Sequence, residues 1–273
     1  MGHRCGMEDC NANLTPAAQT ALGSDPTGKP WPQTPWKYSS IVGMLLYLAT
    51  NTRPDIQFAT SQVARFNKNP KQSHASAVKM IVRYLKGTAQ MGTIIQFTNR
   101  LDIVCYADAD YAGMFGREIP RNPDGAKSRG GYVIIFGGIP LIWKSWLMSA
   151  ICLSTLESEY QCLSKAMTQL IALKNLIQEM AKIFNLGSLK STIKCTVFED
   201  NNGALLLATK QRITTRTKYF HVKWHHFWSH VGSSAEDKIE VRKVDTHKQA
   251  ADYLTKGLAA DMFQANRKIV QNW

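Results

Sequence analysis

The stretch LDIVCYADADYAG, residues 101–113, decides the fold class. Leu101 to Ala107 is a short apolar run of strand type, and Asp108 stands at its end, where strands of open α/β sheets present side chains to a cleft. The apolar runs that follow stay short. Tyr132 to Phe136 and Ile139 to Trp143 read as strands joined at Gly137-Gly138, a pair suited to a tight hairpin, and Ala150 to Leu153 reads as a further strand. A long amphipathic stretch from about Leu156 to Phe184 comes next, then a strand at Ile193 to Phe198 and a helix beginning near Asn201. A helical stretch through Trp228, a strand at Ile239 to Val244 and helices to the end complete the pattern. Strands first, then strand–helix alternation, predict an α/β domain with a mixed sheet.

Upstream of Leu101 the apolar spacing changes to three and four. Tyr38, Ile41, Leu45 and Leu48, then Ile56, Ala59, Val63 and Phe66, then Ala77, Met80, Ile81, Tyr84 and Leu85 predict short successive helices, punctuated by Pro54 and Pro70. Residues 1–36 hold Pro16, Pro26, Pro30, Pro32 and Pro35 and few large apolar side chains, the composition of an extended linker or wrap.

The 273 residues are 44% hydrophobic and 19% charged, an ordinary globular balance far from that of disordered chains. Lys plus Arg is 33 against 20 Asp plus Glu, a net charge of +13, which points to a polyanionic partner and first of all to nucleic acid. The six cysteines form no CxxC pair and most lie in apolar runs, so a reducing compartment without a disulfide framework is expected. His3, Cys5 and Cys10 lack the second ligand pair of a structural zinc site. No apolar run reaches membrane-spanning length, and MGHRCG has neither a signal-peptide core nor a myristoylation Ser or Thr, so an intracellular protein off the membrane is expected.

Acidic residues mark the predicted junctions. Asp108 ends the first strand, Asp200 follows the strand at Ile193 to Phe198, Glu159 lies in the first turn of the long helix, and Asp252 opens the helix after Ile239 to Val244. Taken singly, each is equally at home as a helix cap or turn residue. Helical geometry separates the neighbouring glutamates: Glu159 flanks the apolar row of Leu156, Tyr160, Leu163 and Met167, whereas Glu157 shares a face with Gln161, Ser164, Lys165 and Thr168. A carboxylate held against a core needs a cation. Several together suit hard divalent ions, and a pair of ions supports phosphodiester hydrolysis.

At these residues a family resemblance becomes specific. YADADYAG (106–113), KSRGGYVIIFGGIPLIWKS (127–145), LSTLESEY (153–160), EDNNGAL (199–205), RTKYFHVKWHHF (216–227) and THKQAADYLTKGL (246–258) resemble, in order, the ribonuclease H domain of copia-type LTR-retrotransposon Pol polyproteins. GMEDCNANLTP (6–16), WKYSSIVGMLLYLATNTRPDIQFATSQVARF and AVKMIVRYLKGT (77–88) resemble the segment joining the reverse transcriptase to that domain. The resemblance implies an extended linker over 1–36, a helical thumb- or connection-like segment over 37–100, and over 101–273 a ribonuclease H-like mixed five-stranded sheet flanked by helices. By motif it places metal-binding carboxylates at Asp108, Glu159, Asp200 and Asp252, with two Mg²⁺ ions, or Mn²⁺ in their place. It implies hydrolysis of the RNA strand of an RNA/DNA hybrid, recognised by A-form-like shape and 2′-OH groups. No YxDD string occurs, so a polymerase site is absent from this fragment, and its upstream reverse transcriptase is the natural partner. Apolar faces in residues 38–85 are expected to pack on that missing body. The setting implied is cytoplasmic, in a virus-like particle, or nuclear.

Departures bear on affinity. Trp146-Leu147-Met148 stands where the family carries Lys-Lys-Gln, removing cations, and LSTLESEY keeps Glu159 while replacing its neighbours with Leu156 and Ser158. The rival reading is a catalytically silent nucleic-acid-binding or remnant fragment.

Other features carry weaker signals. His221, His225, His226 and His230 form two i, i+4 pairs, but positions 225 and 226 point about 100° apart on a helix, so the stretch reads as an aromatic helix face. His247 is a loop histidine placed to shuttle a proton or to remain solvated. Lys127, Arg129, Lys144, Arg216, Lys218 and Lys223 are candidates for phosphate contacts.

Overall fold

Alternation along strand β1 (Ile103–Asp110) buries it on both sides. Ile103, Cys105, Ala107 and Ala109 enter one apolar cluster, and Val104 and Tyr106 pack against another. The computed structural model describes residues 5–95, 101–118, 122–186, 193–215, 217–232 and 238–273. In it β1 is the centre of a five-stranded sheet of order β3-β2-β1-β4-β5. β2 (Arg129–Phe136) and β3 (Ile139–Leu147) form an antiparallel meander with β1, and β4 (Cys195–Glu199) and β5 (Ile239–Lys243) run parallel to it. Gly137 and Gly138 turn the β2–β3 hairpin with φ of 56° and 82°.

Two helical layers cover the sheet. On one face lie α4 (Thr155–Ile183) and α5 (Asn202–Lys210), with Tyr160, Leu163, Met167 and Leu170 packed on the inward residues of β1 and β2. On the other lie α1 (Tyr38–Asn51), α2 (Gln57–Ala64), α3 (Gln72–Gly87) and α6 (Ala260–Gln271). Tyr38, Ile41, Leu45, Val63, Ile81 and Tyr84 share one buried cluster with Val133, Ile135, Tyr253 and Leu254. Trp143 Nε1 donates to the Ala49 carbonyl at 2.7 Å, fixing α1 to β3. The apolar faces of residues 38–85 therefore pack on this sheet, not on a body outside the chain. The proline-rich segment through Trp36 is largely irregular yet bound along the helices: Trp36 is buried, Leu22 N donates to Gln62 Oε1 at 2.7 Å, and Gln72 N donates to the Lys29 carbonyl.

Two sequence expectations are corrected. Ala150 to Leu153 is not a strand; it leads into α4, where Leu153 N donates to Glu157 Oε2 at 2.7 Å and Ser154 caps the helix, so local capping takes the backbone groups a sheet would have needed. The helical stretch through Trp228 is instead two single 3₁₀ turns, Val222–His225 and Trp228–His230. Phe220, His225 and Phe227 all converge on Tyr160, whereas on a straight helix position 225 would point about 140–160° away from 220 and 227.

Candidate active site

The sheet and its connections bring the acidic residues to one end of β1. Strand pairing continues past Ala107, with Asp108 opposite Gly131 and Asp110 opposite Arg129. Glu159 comes from the first turns of α4, and Asp200 directly follows the parallel neighbour β4. Carboxylate oxygens of Asp108, Glu159 and Asp200 lie within 4.8 Å of one another. Asp252 does not open a helix: it sits inside a 3₁₀ turn, Ala250–Leu254, and α6 starts only at Ala260. That turn lies directly on the sheet because Gly131 has no side chain; a Cβ there would meet Thr255 Cγ2 at 2.7 Å and Leu254 Cβ at 2.8 Å. Gln249 Nε2 anchors the turn by donating to the Ala107 carbonyl at 2.9 Å.

Other residues carry the capping roles that these acids were equally suited to. Ser154 Oγ accepts from Glu157 N, Asn201 Oδ1 accepts from Gly203 N and Ala204 N, and Gln249 Oε1 accepts from Ala251 N. Glu157 Oε2 in turn accepts from Leu153 N, the residue before the cap. Glu159, Asp200 and Asp252 are thereby left without a capping role.

Burial makes the group costly without a cation. Asp108, Glu159 and Asp252 are 2%, 8% and 1% exposed. Desolvation, reinforced by neighbouring carboxylates, pushes Asp108 above and Glu159 well above the usual range, and brings Asp252 up to about 7. Two groups oppose this at Asp108. The Thr255 hydroxyl donates to its Oδ2, and Lys256 Nζ lies 4.0 Å away while pairing with Asp252 Oδ1 at 2.9 Å. Glu159 Oε2 is buried without a hydrogen-bond partner. Oxygens spaced this way fit around one hard divalent ion at 2.0–2.4 Å, so the donor set suits such an ion.

Several members of the site were not singled out from sequence. Asp110 shares the face of Asp108 by strand alternation, a signal available at i, i+2. Glu199 is fully buried beside Asp200, with Oε1 accepting from Asn201 N and Oε2 unpartnered, and burial holds its carboxyl well above the usual range. Thr255 and Lys256 follow Asp252 by a turn's spacing and needed only the recognition that this turn folds onto the sheet.

Basic and aromatic side chains gather beside α4. A groove of about 460 Å³ is lined by Lys144, Trp146, Lys165, Lys223, Trp224 and His226. His225 is turned away into the core, where its Nδ1 lies 2.9 Å from Tyr160 Oη, and His221 packs edge-on against Trp224. His230 ends the second 3₁₀ turn, His247 is exposed on the turn Thr246–Lys248, and Lys218 lies over the Tyr219 ring. Cys5 is buried and Cys10 half-buried. His3 and Arg216 lie outside the described residues.

An antiparallel meander continued by two parallel strands, with acidic residues at the ends of β1 and β4, is a ribonuclease H-like fold. Over 230 residues the chain is 32% identical to the Retrovirus-related Pol polyprotein from transposon RE1 of Arabidopsis thaliana, a match covering 84% of this chain and 14% of that protein. It is 34% identical over 234 residues to the corresponding polyprotein from transposon TNT 1-94 of Nicotiana tabacum, covering 85% of this chain and 16% of that one. The chain belongs to the copia-type retrotransposon Pol polyprotein family and spans about one-seventh of these relatives' length. No family model matches it. Among solved structures, an N-terminal RNase H domain from Mycobacterium tuberculosis, solved as a fusion with maltose binding protein, aligns at 14% identity with a TM-score of 0.36, over 62% of this chain and 97% of that one. Among the described residues no helix is long and apolar enough to cross a membrane.

Proposed function

We propose that this segment is a metal-dependent endoribonuclease that hydrolyses the RNA strand of RNA/DNA hybrids during retrotransposon reverse transcription. The observation that carries the reading is the shared position of Asp108: it belongs to the close group with Glu159 and Asp200, and it also faces Asp252 across Lys256. That arrangement suits a pair of sites with Asp108 common to both, Glu159 and Asp200 serving one and Asp252 the other. Two Mg²⁺ or Mn²⁺ ions held there would supply, when bound, water activation and stabilisation of the leaving oxygen. The chain's own part is to hold four acidic groups with little freedom. Gln249 and Gly131 fix the Asp252 turn, Asn201 and Ser154 cap the helices beside Asp200 and Glu159, and Thr255 orients Asp108. Lys144, Lys165, Lys223 and Trp146 of the groove along α4 support contacts to strand phosphates and stacking in this reading, in compensation for the cations missing at 146–148. The partners of this reading are the hybrid and the reverse transcriptase of the same polyprotein, in a cytoplasmic particle or the nucleus.

The test is cleavage of end-labelled RNA annealed to DNA, in Mg²⁺, Mn²⁺ or EDTA, by this chain and by its Asp108→Asn and Glu159→Gln variants. The expected outcome is metal-dependent cutting of the hybrid, loss in both variants and sparing of single-stranded RNA. A folded chain that binds hybrid and leaves it intact in every metal overturns the nuclease and favours a silent binding module.

A further inference from the structure

A cavity of about 270 Å³ lies between α2, the β1–β2 connection and the segment after Asp252. Its lining carries Arg117, Lys127, Arg129 and Lys256 beside the acid Asp110, with Lys127 paired to Asp124 at 2.8 Å and Lys256 to Asp252 at 2.9 Å. Arg129 is the unusual member. It is 4% exposed, and no carboxylate of the described residues is within ion-pair distance. Its Nη1 donates to Ser61 Oγ at 2.5 Å and Ser145 Oγ at 3.3 Å, its guanidinium lies over Phe58, and its Nη2 has no partner. Burial and the nearby Arg65 cation push its pKa down to about 10, against the opposing pull of the Asp110 carboxylate. Arg65 is itself neutralised by Glu118 at 2.7 Å. A buried guanidinium held by two hydroxyls, with its nearest carboxylate beyond ion-pair distance, is costly and is favoured where an anion completes it.

We infer that this cavity is an anion site that takes a backbone phosphodiester of the nucleic-acid strand next to the bond at the carboxylates. The inference rests on the nuclease reading and adds a second point of hold. Lys256 joins the two regions, lining the cavity while its ammonium pairs with Asp252 and approaches Asp108. The Arg129 guanidinium gives the cavity wall its buried positive charge, and Arg117 adds charge at the rim beside the Lys127–Asp124 pair. Ser61, on α2, holds the guanidinium, so the upstream helices contribute to the site.

The experiment measures binding of an end-labelled hybrid in EDTA, where hydrolysis is suppressed, across a KCl series. It compares the intact chain with an Arg117→Gln/Lys127→Gln double variant and with Arg129→Lys, and repeats the comparison with hybrids carrying one neutral methylphosphonate at successive positions. The double variant should bind roughly tenfold more weakly, with a salt dependence shallower by about two counter-ions. One methylphosphonate position should weaken the intact chain and cost the variants nothing further. Unchanged affinity and salt slope, or methylphosphonate losses equal in intact and variant chains at every position, overturn the site. Arg117 is exposed and Lys127 half-buried, so the double variant decides the matter if Arg129→Lys fails to fold. Hybrid cleavage without this coupling removes the anion site alone; coupling without cleavage removes the nuclease reading alone.

Discussion

At the scale of single residues, the choice of Glu159 over Glu157 was legible because a helix has only one inward face. The structure assigns Glu157 a different duty, holding the start of α4 through Leu153 N and Ser154 Oγ. Thr255 was not legible, because its relation to Asp108 spans 147 positions in the chain and depends on Gly131 letting the turn approach. Its hydroxyl is the oriented donor on Asp108. Thr255→Val should lower divalent-ion affinity or cleavage by roughly 10–100-fold, and Thr255→Ser should restore most of it, as read by ion-binding calorimetry beside the hybrid assay. The raised carboxyls also set a pH dependence. Asp252 titrates near 7 in the fold and in the ordinary acidic range when unfolded, so between those values the folded chain binds the extra proton. Stability from this group is present below the ordinary carboxylate range and is lost as pH rises toward 7. In EDTA the melting temperature of the intact chain should therefore fall, relative to Asp252→Asn, between about pH 4 and 7. Added Mg²⁺ should reverse the trend, since metal ligands bind deprotonated. A parallel pair of melting curves across that range would sink the argument.

Among the elements, strands β1 to β5 and the long helix were readable from period alone, because each is a continuous run with one buried face or two. The path from Thr217 to His230 was not: its spacing is helical, yet contacts to Tyr160 made by residues distant in sequence override it. The link between the upstream helices and the C-terminus was equally hidden. Arg53 pairs with buried Asp55 at 2.7 Å, Tyr84 Oη donates to Asp55 Oδ2 at 2.6 Å, and Arg267 Nη1 donates to Tyr84 Oη at 3.1 Å while stacking on Trp273. This chain of contacts ties the turn before α2, the end of α3 and α6 into one unit. Asp55→Asn leaves Arg53 buried without its counter-ion and should cost about 3–5 kcal/mol in urea unfolding. A loss below about 1 kcal/mol would show that water or a rearranged Arg267 replaces the pair.

For the whole molecule, sequence organisation and structural organisation divide differently. The change of period near Leu101 is real, but it separates two layers that share a core, since Val133, Ile135 and Leu254 are buried among residues from α1 to α3. Sequence could not show this: apolar faces on the helices and on both sides of a central strand are visible, while the pairing between them is a tertiary fact. Large apolar side chains that stay exposed cluster instead at the far end of α4, at Leu176, Met180, Ile183 and Phe184. Removing residues 1–100 should therefore uncover one face of the sheet along with Tyr253 and Leu254. At about 1.5–3 kcal/mol for each large side chain returned to water, the loss rivals the 5–15 kcal/mol that typically holds a domain together. It also deletes Ser61, which fixes Arg129, and Gln62, which lines the same cavity. A 101–273 fragment should bind hydrophobic dye, lose near-ultraviolet dichroism and unfold without a cooperative transition, while the full chain does none of these. A soluble fragment with a sharp transition and hybrid affinity equal to the full chain would place the folding unit, and the nucleic-acid surface, wholly within the sheet and its α4 layer.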